Sequence, residues 1–170
     1  MPNHYLALPT PDVREFQRGS PDAYGNMPER SLSDGGGNPC RHCLRDIEAG
    51  EGMLTLSLRP FSRLHPYAET GPVFLHADSC EAHDRTCGAP PIVTSRRQLL
   101  VKGYDVNERI VYGTGAIVDC ARMDEHIERL FANSEVSFAD IRSASNNCYF
   151  CRVVRGELTA APASSTRLPA

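Results

Sequence analysis

The chain carries one short phrase twice. Residues 40–51 read CRHCLRDIEAGE, and residues 148–157 read CYFCRVVRGE. Each is Cys-x-x-Cys, then one or two β-branched residues, then Gly-Glu. Two cysteines at this spacing converge on one ion when the residues between them turn, and two such turns supply the four tetrahedral thiolates of a closed zinc site. Cys40, Cys43, Cys148 and Cys151 are therefore the expected ligands of a shared structural zinc ion. Such a site would clip the start of the folded region to its end, over a hundred residues away, and its binding energy would become folding energy. Two alternatives stand beside it. Free cysteines also behave as small buried hydrophobes, and Cys-x-x-Cys can be a redox dithiol. The redox kind starts a helix, which lowers a thiol pKa, whereas both phrases here are flanked by strand or hairpin patterns.

The compartment follows from what accompanies the cysteines. There are seven, an odd number, which disfavours a framework of disulfides. The first residues, MPNHYLALPTPDVREF, lack a basic segment followed by an apolar run, so no signal peptide is read. No stretch reaches the roughly 18 apolar residues of a membrane span. A cytoplasmic location and no membrane partner are expected. The net charge of −3 lacks the strongly basic face of a nucleic-acid binder, so none is expected. An unknown small molecule or protein remains as partner.

The pattern along the chain predicts an α+β fold: a single domain with a mostly antiparallel or mixed sheet and one main helix in the C-terminal half. Strands are expected at 4–8, 53–58, 73–77, 98–104, 109–118, 136–142 and 149–154. MLTLSL (53–58) alternates with period two. Helical turns are expected at 12–18 and 78–85, and the main helix at 119–133, with Ile117, Ala121, Ile127, Leu130 and Phe131 near one face. Residues 19–39, GSPDAYGNMPERSLSDGGGNP, have almost no aliphatics and predict a loop or mobile arm. The expected divisions are 1–38 as an N-terminal strand, helical turn and arm, 39–157 as the globular domain, and 158–170 as a disordered tail.

A second cluster competes for metal. FLHADSCEAHDRTC holds His76, Cys80, His83 and Cys87 at spacings of four, three and four. One helix would put them on one face, yet eleven residues at ~1.5 Å rise place the ends roughly 16 Å apart. Only a neighbouring pair can hold one ion, and Cys80 or His76 is the first substitute ligand if the zinc needs one. Away from the cysteines, Arg142, Ser143, Ser145, Asn146 and Asn147 form an unusually polar link. Arg142 and Asn146, with His76, are the candidate ligand-binding residues for an anionic ligand; the bland reading is a solvated turn. An enzyme using a cysteine nucleophile such as Cys148, or a catalytic metal near His76, is the alternative function, and a thiol redox switch is the third. No Gly-rich phosphate loop, G-x-S-x-G or H-E-x-x-H is present.

The flank CRHCLRDIEAGE resembles the first knuckle of zinc-ribbon and treble-clef modules. NNCYFCRVVRGE is similar to the opening strand of histidine-triad hydrolases, but no His-x-His-x-His run is present and no hydrolase activity carries over. On a larger scale, PCRHCL (39–44), Gly50-Glu51, PYAETGPVFLHADSC (66–80), SRRQLLVKGYD (95–105) and IRSASNNCYFCRV (141–153) occur in this order. Together they resemble the bacterial domain-of-unknown-function family 1203 over about residues 39–155. That resemblance implies a small bacterial protein with no established activity.

Overall fold

The last apolar run, Tyr149–Val154, is buried at every residue, which requires a partner strand on each edge and cover on both faces. The computed structural model describes residues 3–156 and supplies both. In chain order its elements are β1 (His4–Leu6), α1 (Thr10–Gln17), β2 (Glu29–Leu32), β3 (Asn38–Pro39), β4 (Asp46–Ile47), β5 (Gly52–Leu58), β6 (Gly71–His76), α2 (Pro91–Thr94), β7 (Gln98–Tyr104), β8 (Ala116–Asp119), α3 (Met123–Phe131), β9 (Phe138–Ser143) and β10 (Tyr149–Val154). Strand pairing between these elements is antiparallel throughout. Mostly antiparallel sheet with few helices is thus what forms. Among the described residues no helix is long and apolar enough to cross a membrane.

The described chain divides into two compact units. One runs Ala7 to His83; the other takes the chain up to Leu6 and from Asp84 onward. The crossings fall at ordinary residues rather than at a Pro- or Gly-rich linker, so composition did not mark them. The later unit is built on a five-stranded sheet in the order β1-β10-β9-β7-β8. Its interior holds a buried ion pair: Arg152 Nε donates to Asp140 Oδ1 at 2.7 Å, both buried, and the guanidinium lies 3.7 Å from the Phe138 ring centroid. α3 buries Met123, Ile127 and Leu130, and Tyr5 Oη donates to Asp124 Oδ1 at 2.7 Å. The predicted helix at 119–133 is shorter than expected. Asp119 caps its start by accepting from Ala121 N, but residues 120–122 tighten into a 3-10 turn. Ile117, placed on the helix face by periodicity, lies on β8 and is half exposed.

The Ala7–His83 unit is assembled differently. Its sheets are small, β2-β5-β6 and β3-β4. Along β5 the leucines 54, 56 and 58 are buried, as period-two alternation predicts. The expected loop at 19–39 contains β2 and β3 instead. Side-chain hydrogen bonds hold this segment where apolar residues are lacking. Asp22 Oδ1 accepts from Tyr24 N and Asn26 N, and Asp22 Oδ2 from Ser57 N. Ser33 Oγ donates to Ile47 O at 2.8 Å. Residues 158–170, expected as a tail, lie outside the described residues.

Candidate metal centre

The hairpin β3–β4 encloses the first cysteine pair. Cys40 N donates to Arg45 O at 2.9 Å and Leu44 N to Cys40 O at 3.1 Å. The turn needs a left-handed residue, and Leu44 fills it with φ 54°, a conformation unfavourable for a branched side chain and held here by full burial. The turn is tied to β6 by a parallel bridge between Cys40 and Phe74, with Arg41 N donating to Phe74 O at 3.1 Å. It therefore faces the end of β6, where His76 sits.

Residues 77–90 contain neither helix nor strand, so the helical turns expected at 78–85 do not form. The competing donors come from α1. Arg14 Nη2 donates to Cys80 O at 2.8 Å, and Gln17 Nε2 donates to His76 O and Asp78 O. Carbonyls held by side chains are unavailable for a helical ladder. The segment instead turns Cys80 back towards the cysteine knuckle.

The result is a group of four donors, Cys40, Cys43, His76 and Cys80, whose ligand atoms all lie within 4.8 Å of one another. Cys40 Sγ and Cys80 Sγ are 4.0 Å apart, and Cys43 Sγ is 3.6 Å from His76 Nδ1. Two sulfurs at 2.3 Å from one tetrahedral zinc stand about 3.8 Å apart, and a sulfur and an imidazole nitrogen about 3.6 Å apart. The spacing matches that geometry. Around the donors lies a set of orienting hydrogen bonds. His76 Nε2 donates to Glu51 Oε2 at 3.3 Å, which leaves Nδ1 facing the sulfurs. His42, fully buried, has Nδ1 3.1 Å from Cys80 Sγ and Nε2 2.9 Å from Thr10 Oγ1. A neutral His42 donating from Nδ1 and accepting at Nε2 satisfies both contacts. Burial lowers its pKa and favours that neutral form.

Electrostatics of the protein groups alone point the same way. Hydrogen bonds donated by Cys43 and Cys80 hold the Cys40 thiol far below its ordinary range. Their own protons are correspondingly tied down: Cys43 is pushed up to about 11 by its bond to Cys40, and Cys80 is pushed up by the same partner. His76 is raised by its bond to Cys40, with Glu51 adding to the effect. A cluster of three sulfurs this close carries one negative charge readily and further charges only beside a cation.

Of the cysteines expected to share a zinc, Cys40 and Cys43 are members of this group and Cys148 and Cys151 are not. The latter two belong to the other unit. Cys151 is buried on β10, and Cys148 just precedes that strand, with a register shift between Tyr149 and Cys151. The two substitutes read from the sequence, His76 and Cys80, fill the remaining places. His83 N donates to His42 O, and Cys87 is exposed. The supporting residues Thr10, His42 and Glu51 went unread. Their signals were a histidine inside CRHC and the acid of the Gly-Glu phrase, neither informative without the neighbours.

The proposed ligand residues fall in different units. His76 belongs to the four-donor group. Arg142, on β9, is buried and donates from Nη1 to Asn147 O at 3.1 Å. Asn146 N donates to Ser143 Oγ and Asn147 N to Ser143 O, the local bonding of a turn.

Comparison with known proteins adds the family. No curated protein and no solved structure matches the chain. A family model described as a protein of unknown function, DUF1203, matches residues 37–155. That span includes all four donors, together with His42 and Glu51. The chain belongs to the DUF1203 family.

Proposed function

We propose that the Ala7–His83 unit holds a zinc ion through the thiolates of Cys40, Cys43 and Cys80 and Nδ1 of His76. The observation that carries this reading is the donor spacing of 4.0 Å between two sulfurs and 3.6 Å between sulfur and nitrogen, the separations a tetrahedral zinc demands. Three thiolates and one neutral imidazole around Zn2+ leave one net negative charge. The His42 N–H directed at Cys80 offsets it, and the Glu51 carboxylate orients His76. Four protein donors leave no open coordination position, so the ion's role is structural rather than catalytic. It joins the knuckle at 40–43, the end of β6 and the irregular segment carrying Cys80.

One observation favours a second reading. Cys43, His76 and Glu51 line up as thiol, imidazole and carboxylate, the order of a cysteine nucleophile with an oriented base. Such a nucleophile needs a lowered pKa and access to substrate. Cys43 is pushed up to about 11 and is buried, which supports the metal reading over this one.

The test is elemental analysis of full-length protein purified without added metal, followed by cobalt substitution and X-ray absorption. One equivalent of zinc with a shell of three sulfurs and one nitrogen is expected. A shell of four sulfurs would move the site to the two Cys-x-x-Cys pairs. No bound metal, with a Cys43 thiol readily alkylated by a substrate-like electrophile, would favour the nucleophile.

A further inference from the structure

The four donors differ in their surroundings, and the difference bears on how the zinc reading above is regulated. Cys40 is fully buried and Cys43 is 7% exposed. Both sit in a turn closed by backbone hydrogen bonds between β3 and β4. Cys80 is partly exposed. It lies in the irregular 77–90 segment, where a side chain rather than a strand partner holds its carbonyl. His42 directs a ring N–H at its sulfur, which stabilises a thiolate there. The Cys40 sulfur is 4.0 Å away, while Cys43 Sγ faces His76. The one partly exposed cysteine of the group thus stands beside a second, shielded sulfur. That is the arrangement of an oxidised cysteine and its resolving partner.

We propose that Cys80 is an oxidation site for hydrogen peroxide, and that its oxidation ends in a Cys40–Cys80 disulfide with release of the zinc ion. The Cys80 thiolate attacks the peroxide; an S–O bond forms, the O–O bond breaks, and hydroxide leaves and is protonated to water. The Cys40 thiolate then attacks the Cys80 sulfur. The S–S bond forms, the S–O bond breaks, and a second hydroxide leaves. The two sulfurs together give up two electrons, and the peroxide accepts them to become two molecules of water. Loss of two of four donors leaves Cys43 and His76, too few to retain the ion. Closing 4.0 Å to the ~2.05 Å of a disulfide requires the segment to move, and 77–90 has no strand pairing to lose.

The experiment uses the zinc-loaded full chain treated with hydrogen peroxide, with a chromophoric chelator reporting free zinc. Intact mass and a peptide map are taken at each time point. The expected result is one zinc released per molecule, a mass loss of about 2 Da for two thiols joined, and a crosslinked peptide pair containing Cys40 and Cys80. Cys87→Ser should behave identically. A bond joining Cys40 to Cys43, a bond using the exposed Cys87, oxidation confined to Cys87 or Cys148 with zinc retained, or no reaction in the cluster would each overturn the proposal. If the protein as purified holds no zinc, the metal reading falls by itself. The map of the metal-free thiols still decides whether Cys80 joins Cys40.

Discussion

The two Cys-x-x-Cys phrases have nearly the same spelling and opposite fates. At 40–43 the chain turns between β3 and β4, and the left-handed Leu44 folds the two sulfurs onto the same side. At 148–151 the chain runs into β10 with Cys151 at a buried strand position. Neither Cys148 nor Cys151 is a member of the four-donor group. Cys148 Sγ instead contacts Asn146 O at 3.8 Å. The gathering of donors therefore belongs to the turn and not to the motif. The first pair takes its remaining partners from a strand end and an irregular segment, and the second serves a sheet whose stability comes from burial on both faces.

The largest expected effect separates the two pairs directly. Cys43→Ser should abolish zinc binding and lower stability by roughly 5 kcal/mol, because the metal's binding energy is part of the folding energy. Cys151→Ser should leave the zinc content intact and cost only about 1–3 kcal/mol for a buried hydroxyl. Elemental analysis with thermal unfolding reads both, and reversal of the two metal contents would break the comparison. Next in size is Asp140→Ala. It leaves buried Arg152 uncompensated and should cost about 3–5 kcal/mol without loss of zinc, showing that the later unit depends on its own polar interior. Smaller again, His42→Ala should weaken zinc about 10–100-fold in a chelator competition, because Cys80 loses its N–H donor. Glu51→Gln should fall at the low end of that range. The smallest effect sharpens the turn itself. Asn147 has φ 57°, so Asn147→Gly should change stability by less than about 1 kcal/mol, while Asn147→Val should cost about 1–2 kcal/mol. Denaturant unfolding distinguishes the two.

Zinc binding should also depend on pH with a definite sign. Each thiol must shed a proton to become a thiolate ligand, and free thiols titrate near pH 8.5. Apparent affinity should therefore fall more than about tenfold for each pH unit below about 8. An affinity unchanged between pH 8 and 6 would mean that the thiols are not the ligands.

Much of the secondary structure was legible because it rests on local pattern. The alternation of Met53–Leu58, the apolar run at Tyr149–Val154 and the acidic start of the helix ending at Phe131 each name their own element. The family is carried by phrases such as PCRHCL and PYAETGPVFLHADSC, which need no fold to be recognised. Half of the four-donor group was legible too, since Cys40 and Cys43 are joined by a local turn, with His76 and Cys80 standing as substitutes. What only the tertiary structure decided was the partnership. That Cys40 and Cys43 meet His76 and Cys80 depends on where β6 ends and where the following segment turns. That turn is set by Arg14 and Gln17 reaching from α1 to carbonyls some sixty residues away. The strands at 29–32 and 38–39 were hidden for the same reason. Asp22 and Ser33 hold that polar segment through hydrogen bonds to distant backbone, and such bonds leave no period in the sequence. Periodicity records which face of an element is buried; it carries no record of which side chain will capture a far-off carbonyl, and here those captures place the fourth donor, Cys80.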